Sequence, residues 1–319
     1  LTLLNDAIIY NPSHLLGLFS VFNSAVVNEV KLYKTGVPAT QVGRLASLIE
    51  VNSSKKIADS LQIEADLGLY YAAANIIVPI NKKWSINLAA RKTFMNYTVW
   101  PLLSKLNLNS SFFNQTKYDF YDLNFTSNAQ LSKKDFLYFS AFTGGDDFGF
   151  GITQFNINNN MNWQNTALSL NWKRIINSKI VLNTGVTHSA YNFNFGMAQD
   201  QYNARINSNI KDLGFKTYLT AYLNKHQIKA GIQFTNHQFK PNTPYAKSLD
   251  TELDFGIQNI YHADESSFFL SDDITFTDKI AIYAGTRLTY YRHKGPFFKN
   301  DENNNQTQYN RNKTITSYV

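Results

Sequence analysis

The residues with the most chemical potential in this 319-residue sequence form one acidic, glycine-rich string, Gly144-Gly145-Asp146-Asp147-Phe148. Adjacent carboxylates beside glycine carbonyls suit a hard cation such as calcium. Metal-dependent nucleotide chemistry on such a string would need helices packed around it, and the sequence offers none there. The plainer expectation is an acidic loop apex, since a short motif without its structural context is weak. The six histidines, His14, His188, His226, His237, His262 and His293, lack the spacing of a metal site. Asp272-Asp273 lies in a strand pattern, where neighbours point to opposite faces and cannot act as an acid/base couple. No nucleophile elbow, phosphate loop or Ser/His/Asp order stands out. Cysteine is absent, which removes disulfides, thiolate metal sites and a thiol nucleophile. The residues therefore call for no enzyme and no cofactor.

The elements around these residues are β in character. Hydrophobic residues make up 44% and aromatics 15%, too much for a disordered chain. Charged residues are 17%, below the usual ~25%, and Asn reaches roughly 12%. The net charge of +7 is scattered in pairs such as Lys82-Lys83 and Lys133-Lys134, so no nucleic-acid stripe is expected. From about residue 58 apolar and polar residues alternate. Tyr121, Leu123, Phe125 and Ala129 interleave with Asp122, Asn124, Thr126, Asn128 and Gln130. Leu168, Leu170 and Trp172 interleave with Ala167, Ser169, Asn171 and Lys173. Period two means strands with one apolar and one polar face.

Two kinds of break alternate between these strands. Short turns fall at Asn81-Lys82-Lys83, Ser132-Lys133-Lys134-Asp135, Asn177-Ser178-Lys179, Asn224-Lys225-His226 and Thr277-Asp278-Lys279. Longer polar segments, expected as loops, fall near 99–116, 144–160, 196–206, 240–262 and 293–314. Short turns at one end, long loops at the other and strands able to exceed ~9–11 residues predict a transmembrane antiparallel β-barrel. A large soluble β-sandwich or propeller is the alternative. No apolar run is long enough for a membrane helix. Residues 1–57 differ: short runs such as Ala7-Ile8-Ile9-Tyr10, Glu29-Val30-Lys31-Leu32-Tyr33 and Leu48-Ile49-Glu50-Val51 predict a small α+β unit.

Three segments resemble TonB-dependent receptors of the outer membrane, in the form common among Bacteroidota. They are Tyr10-Asn11-Pro12-Ser13-His14-Leu15-Leu16-Gly17 with Val30 to Lys34 and Gly43-Arg44; Phe120-Tyr121-Asp122-Leu123-Asn124; and Ile210-Lys211-Asp212-Leu213-Gly214-Phe215-Lys216 through His237 to Pro241. The resemblance implies that 1–57 is the second half of a plug domain and 58–319 about the first eleven strands of a barrel of ~22. The chain would then be a piece of a longer protein. It also implies energy-coupled import of a bulky nutrient across the outer membrane of a Gram-negative bacterium. The nutrient would be a siderophore–metal complex, an oligosaccharide or a peptide. A TonB–ExbB–ExbD complex would drive import, outer-membrane lipids would surround the wall, and a surface lipoprotein is a further candidate partner. A passive porin or a secreted adhesin or lectin is the competing function. On the same resemblance Tyr10, Asn11 and His14 would lie at the plug apex facing substrate. Arg44 would meet the barrel wall, where Asp122, Asp212 and Lys216 are the candidate polar contacts. Asn5-Asp6 stands where an Asp-Gly turn is common.

Overall fold

In a computed structural model the described residues are 1–41, 47–106, 115–152, 155–248, 251–253, 259–300 and 306–309. The N-terminal unit begins with β1 (Thr2–Leu4) and β2 (Ala7–Ile8). They are joined through Asn5 and Asp6, whose φ angles of 49° and 73° are left-handed. Asn and Asp tolerate that region better than most residues, so the turn forms here without glycine. A short hairpin follows, β3 (Ser13–His14) and β4 (Phe19–Ser20). Next come β5 (Val27–Tyr33) and β6 (Leu48–Ser53). The small sheet has the order β2-β1-β6-β5, with β1 parallel to β6. The unit is thus almost wholly β, with one 3-10 turn at Leu15–Gly17 as its only helical feature among the described residues.

The second unit is one twelve-stranded antiparallel sheet. Its path runs in sequence order through β7 (Gln62–Leu67), β8 (Tyr71–Asn81), β9 (Trp84–Thr93), β10 (Lys117–Gln130), β11 (Asp135–Ile152) and β12 (Ile157–Ile175). It continues through β13 (Ile180–Gln199), β14 (Tyr202–Leu223), β15 (His226–Ser248), β17 (Tyr261–Thr277) and β18 (Ile280–Gly295). The three-residue β16 (Thr251–Leu253) pairs with β15 off this path. The path holds eleven strands, as expected for residues 58–319. All five short breaks are tight turns between neighbouring strands.

The longer segments are a different matter. Those at 144–160 and 196–206, and the first part of 240–262, are largely strand rather than loop. β11 runs to Ile152, β13 to Gln199 and β15 to Ser248. Gly144-Gly145-Asp146-Asp147-Phe148 therefore lies inside β11, not at an apex. The 22 residues of β14 span ~70 Å at ~3.3 Å each, far beyond the ~9–11 residues that cross a bilayer. The segment 99–116 carries the one-turn-plus helix α1 (Val99–Lys105) among its described residues.

Burial in the wall is the reverse of that in a water-soluble sheet. Along β10 the buried positions include Asp122, Asn124, Thr126 and Asn128, while Leu123 is 44% exposed. Along β12 Asn165 and Ser169 are buried, while Leu168 and Leu170 are exposed. The polar face turns inward onto the N-terminal unit and the apolar face outward. An outward apolar belt several strands wide has a favourable solvent in lipid and an unfavourable one in water. Trp84 and Trp172 sit at its short-turn edge, each donating its indole N–H, to Ser127 at 2.9 Å and Asp135 at 3.2 Å. Such amphipathic rings suit the membrane–water boundary.

An Arg placed at Leu168 would put a charge within the lipid-facing belt. Leu168→Arg is expected to cost ~2–4 kcal/mol in refolding from urea into lipid vesicles, the range for a midplane position. A cost near zero would contradict the outward, lipid-facing assignment.

Candidate functional site

The hairpin β3–β4 climbs away from the short-turn end and is shaped locally. Asn11 Oδ1 accepts from the Ser13 backbone N–H at 3.4 Å and the Ser13 hydroxyl at 3.1 Å, a side-chain turn that sets the start of β3. Beyond His14 the chain bends through three consecutive left-handed residues, Leu15, Leu16 and Gly17, with φ of 44°, 55° and 109°. Two of them are not glycine, and such strain persists only where surrounding contacts hold it.

His14 supplies those contacts. It is fully buried, and its ring stacks on Phe120 with centroids 4.1 Å apart and planes 10° apart. Nδ1 lies 2.7 Å from Asp146 and Nε2 lies 2.8 Å from Asp122. Both partners are carboxylates, so both ring nitrogens donate only if the ring is an imidazolium. Burial alone would lower the His14 pKa, but the hydrogen bonds and charges of Asp122 and Asp146 outweigh it and leave it raised. Asp122 also receives Arg91, through Nε at 2.7 Å and Nη2 at 2.5 Å. The same Nη2 donates to the Ser20 carbonyl at 2.7 Å. Asp146 accepts the Tyr118 hydroxyl, and the Leu15 N–H donates to Tyr118 at 2.6 Å. Two positive and two negative groups thus close a neutral clasp between the hairpin and strands β9, β10 and β11.

The clasp accounts for the glycine-rich string. Gly144 lies opposite Asp122 in the β10–β11 register. A Cβ on Gly144 would sit 2.6 Å from Asp122 Oδ1 and 2.8 Å from Phe142, so only glycine leaves room for the carboxylate that grips His14. The two adjacent aspartates do not work together. Asp146 faces inward to His14, while Asp147 faces outward and accepts from Asn160 at 2.8 Å. Among the described residues no group of three His, Cys, Asp or Glu side chains could hold a metal ion.

Further contacts tie the N-terminal unit to the wall. The Tyr10 hydroxyl donates to Asp212, which also contacts His237 at 2.8 Å. Asn165 bridges Tyr10 and Asn11, accepting from their backbone N–H groups and donating to the Asn11 carbonyl at 2.8 Å. Asn5 donates to Ser140 at 2.9 Å, and Ser169 donates to the Asn5 carbonyl at 2.6 Å. Lys216 meets Asp6 at 3.8 Å and Gln41 at 3.2 Å. Arg287 of β18 donates to the Ala39 carbonyl at 3.2 Å. The interface is not wholly polar: Leu4, Ala7, Ile9, Val21 and Val51 pack with Phe142 and Ala167 of the wall.

The structure brings the sequence-derived residues together in new pairings. Arg44 lies outside the described residues. Asp122 is held by His14 and Arg91, Asp212 by Tyr10 and His237, and Lys216 by Asp6 and Gln41. His14 is sealed inside the wall contact rather than facing the lumen; the exposed tip consists of Leu16 and Leu18, 71% and 73% accessible. Arg91, Asp146, Asn165 and Arg287 were not singled out as contacts from sequence. Their position on the polar side of the alternation is readable, but their partners lie up to 248 residues away.

Because the folded pKa of His14 is raised, its clasp stabilises fully below the ordinary value of 6.5 and the gain is lost as pH rises through the folded pKa. Thermal unfolding followed against pH is expected to show this loss in the wild type and not in His14→Gln. His14→Ala leaves two buried carboxylates poorly compensated and is expected to cost ~3–5 kcal/mol. Equal pH profiles for wild type and His14→Gln would exclude the charged clasp.

Neither a protein-family model nor a curated protein matches the sequence. Solved structures do match in fold. The ferric preacinetobactin receptor BauA of Acinetobacter baumannii aligns over 92% of this chain and 50% of its own, at 10% identity and a TM-score of 0.62. The FpvA receptor of Pseudomonas aeruginosa, solved with bound pyoverdine and iron, aligns over 94% and 45%, at 11% identity and a TM-score of 0.66. The alcaligin outer-membrane receptor FauA of Bordetella pertussis aligns over 100% and 49%, at 10% identity and a TM-score of 0.61. These neighbours are TonB-dependent receptors. The chain spans about half the length of each. At such identities the likeness is one of fold: this chain has the architecture of about half of a TonB-dependent β-barrel receptor.

Proposed function

We propose that the chain is part of an outer-membrane importer of a bulky nutrient, driven by a TonB–ExbB–ExbD complex. Residues 1–57 act as part of its plug and 58–319 as part of its barrel wall. The observation that carries this reading is the union of two features. The wall has an apolar outer and polar inner face, and its inner face is occupied by a separate small sheet held through side-chain hydrogen bonds and ion pairs. A passive pore has no need of such a filling. The contacts are mostly polar, so water can replace each as it breaks, which suits a plug that is remodelled by force and then resets. The apolar centre around Phe142 and Ala167 gives a resting position to return to. The likeness to siderophore receptors supports import as the activity. No bond is made or broken by this chain in that role; its residues bind, hold and release.

These 319 residues contain no cysteine, so none among them competes with an introduced pair. Asn5 and Ser140 touch across the interface. With Asn5→Cys and Ser140→Cys in the full-length protein, oxidation is expected to reproduce the growth defect of gene deletion or TonB loss under nutrient limitation. Reduction is expected to relieve it. A passive porin would be indifferent both to the tether and to TonB.

A further inference from the structure

The alternation of the wall changes phase at one level. Below it, Leu137, Phe139 and Ala141 of β11 share the outward face with Leu168 and Leu170 of β12. Above it the apolar residues face inward: Phe148 and Phe150 of β11, Met161 and Trp163 of β12, Phe193 and Phe195 of β13. The facing is fixed by contacts. Asp146, on the same face as Phe148, holds buried His14, and Phe148 meets the ring of Tyr118. The outward side above the change is polar instead. Asn194 donates to Asn162, Asn162 to Asn160, and Asn160 to Asp147.

The change falls on a single rung, Asp122–Gly144–Asn165–Tyr191, in which each residue is the cross-strand partner of the next. That rung is also where the N-terminal unit is fastened, by His14 to Asp122 and by Tyr10 and Asn11 to Asn165. An outer surface that switches from apolar to amide-rich marks where lipid gives way to water. An inner surface that becomes aromatic at the same height needs a second explanation, because water now lies on both sides. A barrel of about twice this many strands, the size implied by the receptors it matches, encloses a lumen too wide for opposite walls to pack together. The N-terminal unit and α1 cover only the lowest part of the aromatic face. Leu15, Phe19, Val99 and Trp100 share one cluster with Phe148, and Trp163 is buried, whereas Phe150, Met161, Phe193 and Phe195 stay partly exposed above a tip that ends in exposed Leu16 and Leu18.

Charge then narrows the occupant. Above Asp146, no Lys, Arg, Asp or Glu faces inward along β11, β12 and β13 among the described residues. The charges at the floor cancel within the clasp of His14, Arg91, Asp122 and Asp146. The partly exposed Phe150, Met161, Phe193 and Phe195 offer no hydrogen bonds to a hydroxyl-rich ligand; the Trp163 indole N–H is buried, which leaves Asn159 as the inward amide of β12 above Met161. We infer that the inward aromatic face above this rung, with the Leu16–Leu18 tip as its floor, is a binding basin for an uncharged cargo that presents apolar or aromatic side chains, such as a blocked peptide. This rests on the import reading and names the class of cargo within it.

The test uses the full-length protein in lipid nanodiscs and three probes: acetyl-Phe-Leu-Phe-amide, ferric citrate and maltohexaose, each titrated by calorimetry. Saturable binding of the tripeptide, tighter than either other probe, is expected. The double variant Phe193→Gln/Phe195→Gln should weaken it by roughly tenfold or more, since two aromatic contacts are lost. Asn192→Ser/Asn194→Ser, on the opposite face of the same strand, should leave it unchanged. Met161→Gln provides a second inward probe on another strand if the double variant does not fold, and should also weaken binding. Absence of tripeptide binding, tighter binding of ferric citrate or maltohexaose, or indifference to the inward substitutions would overturn the assignment. Unfolding caused by Met161→Gln as well as the double variant would also overturn it, by showing that protein rather than cargo covers this face. TonB-dependent uptake of labelled tripeptide separates the two readings. Binding without energy-dependent uptake keeps the basin and rejects import; energy-dependent uptake of ferric citrate without tripeptide binding does the reverse.

Discussion

Every backbone N–H and C=O in a hydrocarbon layer must find its partner within the protein, and the architecture of this chain follows from that requirement. Strands satisfy it only by pairing laterally, which produces the continuous ladder from β7 to β18. Once the strands are paired, period-two geometry sends every second side chain outward into lipid. The outward set must then be apolar, and the polar residues have nowhere to go but in. Buried Asp122, Asn165 and Asp212 are consequences of this inversion, and each needs a partner because burial of an unpaired polar group is costly. The N-terminal unit supplies many of those partners.

This view joins the two halves of the structure. The His14 pKa is raised because two wall carboxylates face it, and those carboxylates are inside because their neighbours face lipid. Gly144 is glycine because Asp122 needs the space above it. The strained run Leu15-Leu16-Gly17 is held by the Leu15 N–H on Tyr118 and by the clasp immediately before it. A mechanical pull on the N-terminal unit would meet a series of separate polar contacts at different strands, together with two small apolar patches, one at Phe142 and Ala167 and one where Leu15 and Phe19 meet Tyr118 and Phe120. Contacts of that kind yield one after another, with no single large core to be torn.

Much of this was legible in the sequence, and the reasons differ by element. The five tight turns and the strands between them were readable because two solvents impose strict alternation on the membrane-crossing parts. The upper strand segments were read as loops for the same reason. Around Asn158 to Asn165 and Asn192 to Asn194 the apolar residues change face, and the dense asparagine resembles turn chemistry. Asn160, Asn162 and Asn194 instead form an outward amide ladder on regular strand, while Asn165 faces inward. The site was only partly readable. His14, Asp122 and Asp212 drew attention through residue type and resemblance. The pairing of His14 with Asp146, 132 residues on, and of Arg91 with Asp122 depends on register between elements that no local pattern encodes.

The central claim is that one continuous strand meets lipid on its outward face at one height and water on the same face higher up. Single cysteines carrying spin labels along β12, from Asn160 to Trp172, measure this directly through collision with oxygen and with a water-soluble nickel chelate. Labels at Leu168, Leu170 and Trp172 are expected to favour oxygen, and those at Asn160, Asn162 and Gln164 the chelate. Chelate-dominated collisions at all six positions would mean that the apolar belt does not face a membrane, and the account would fail.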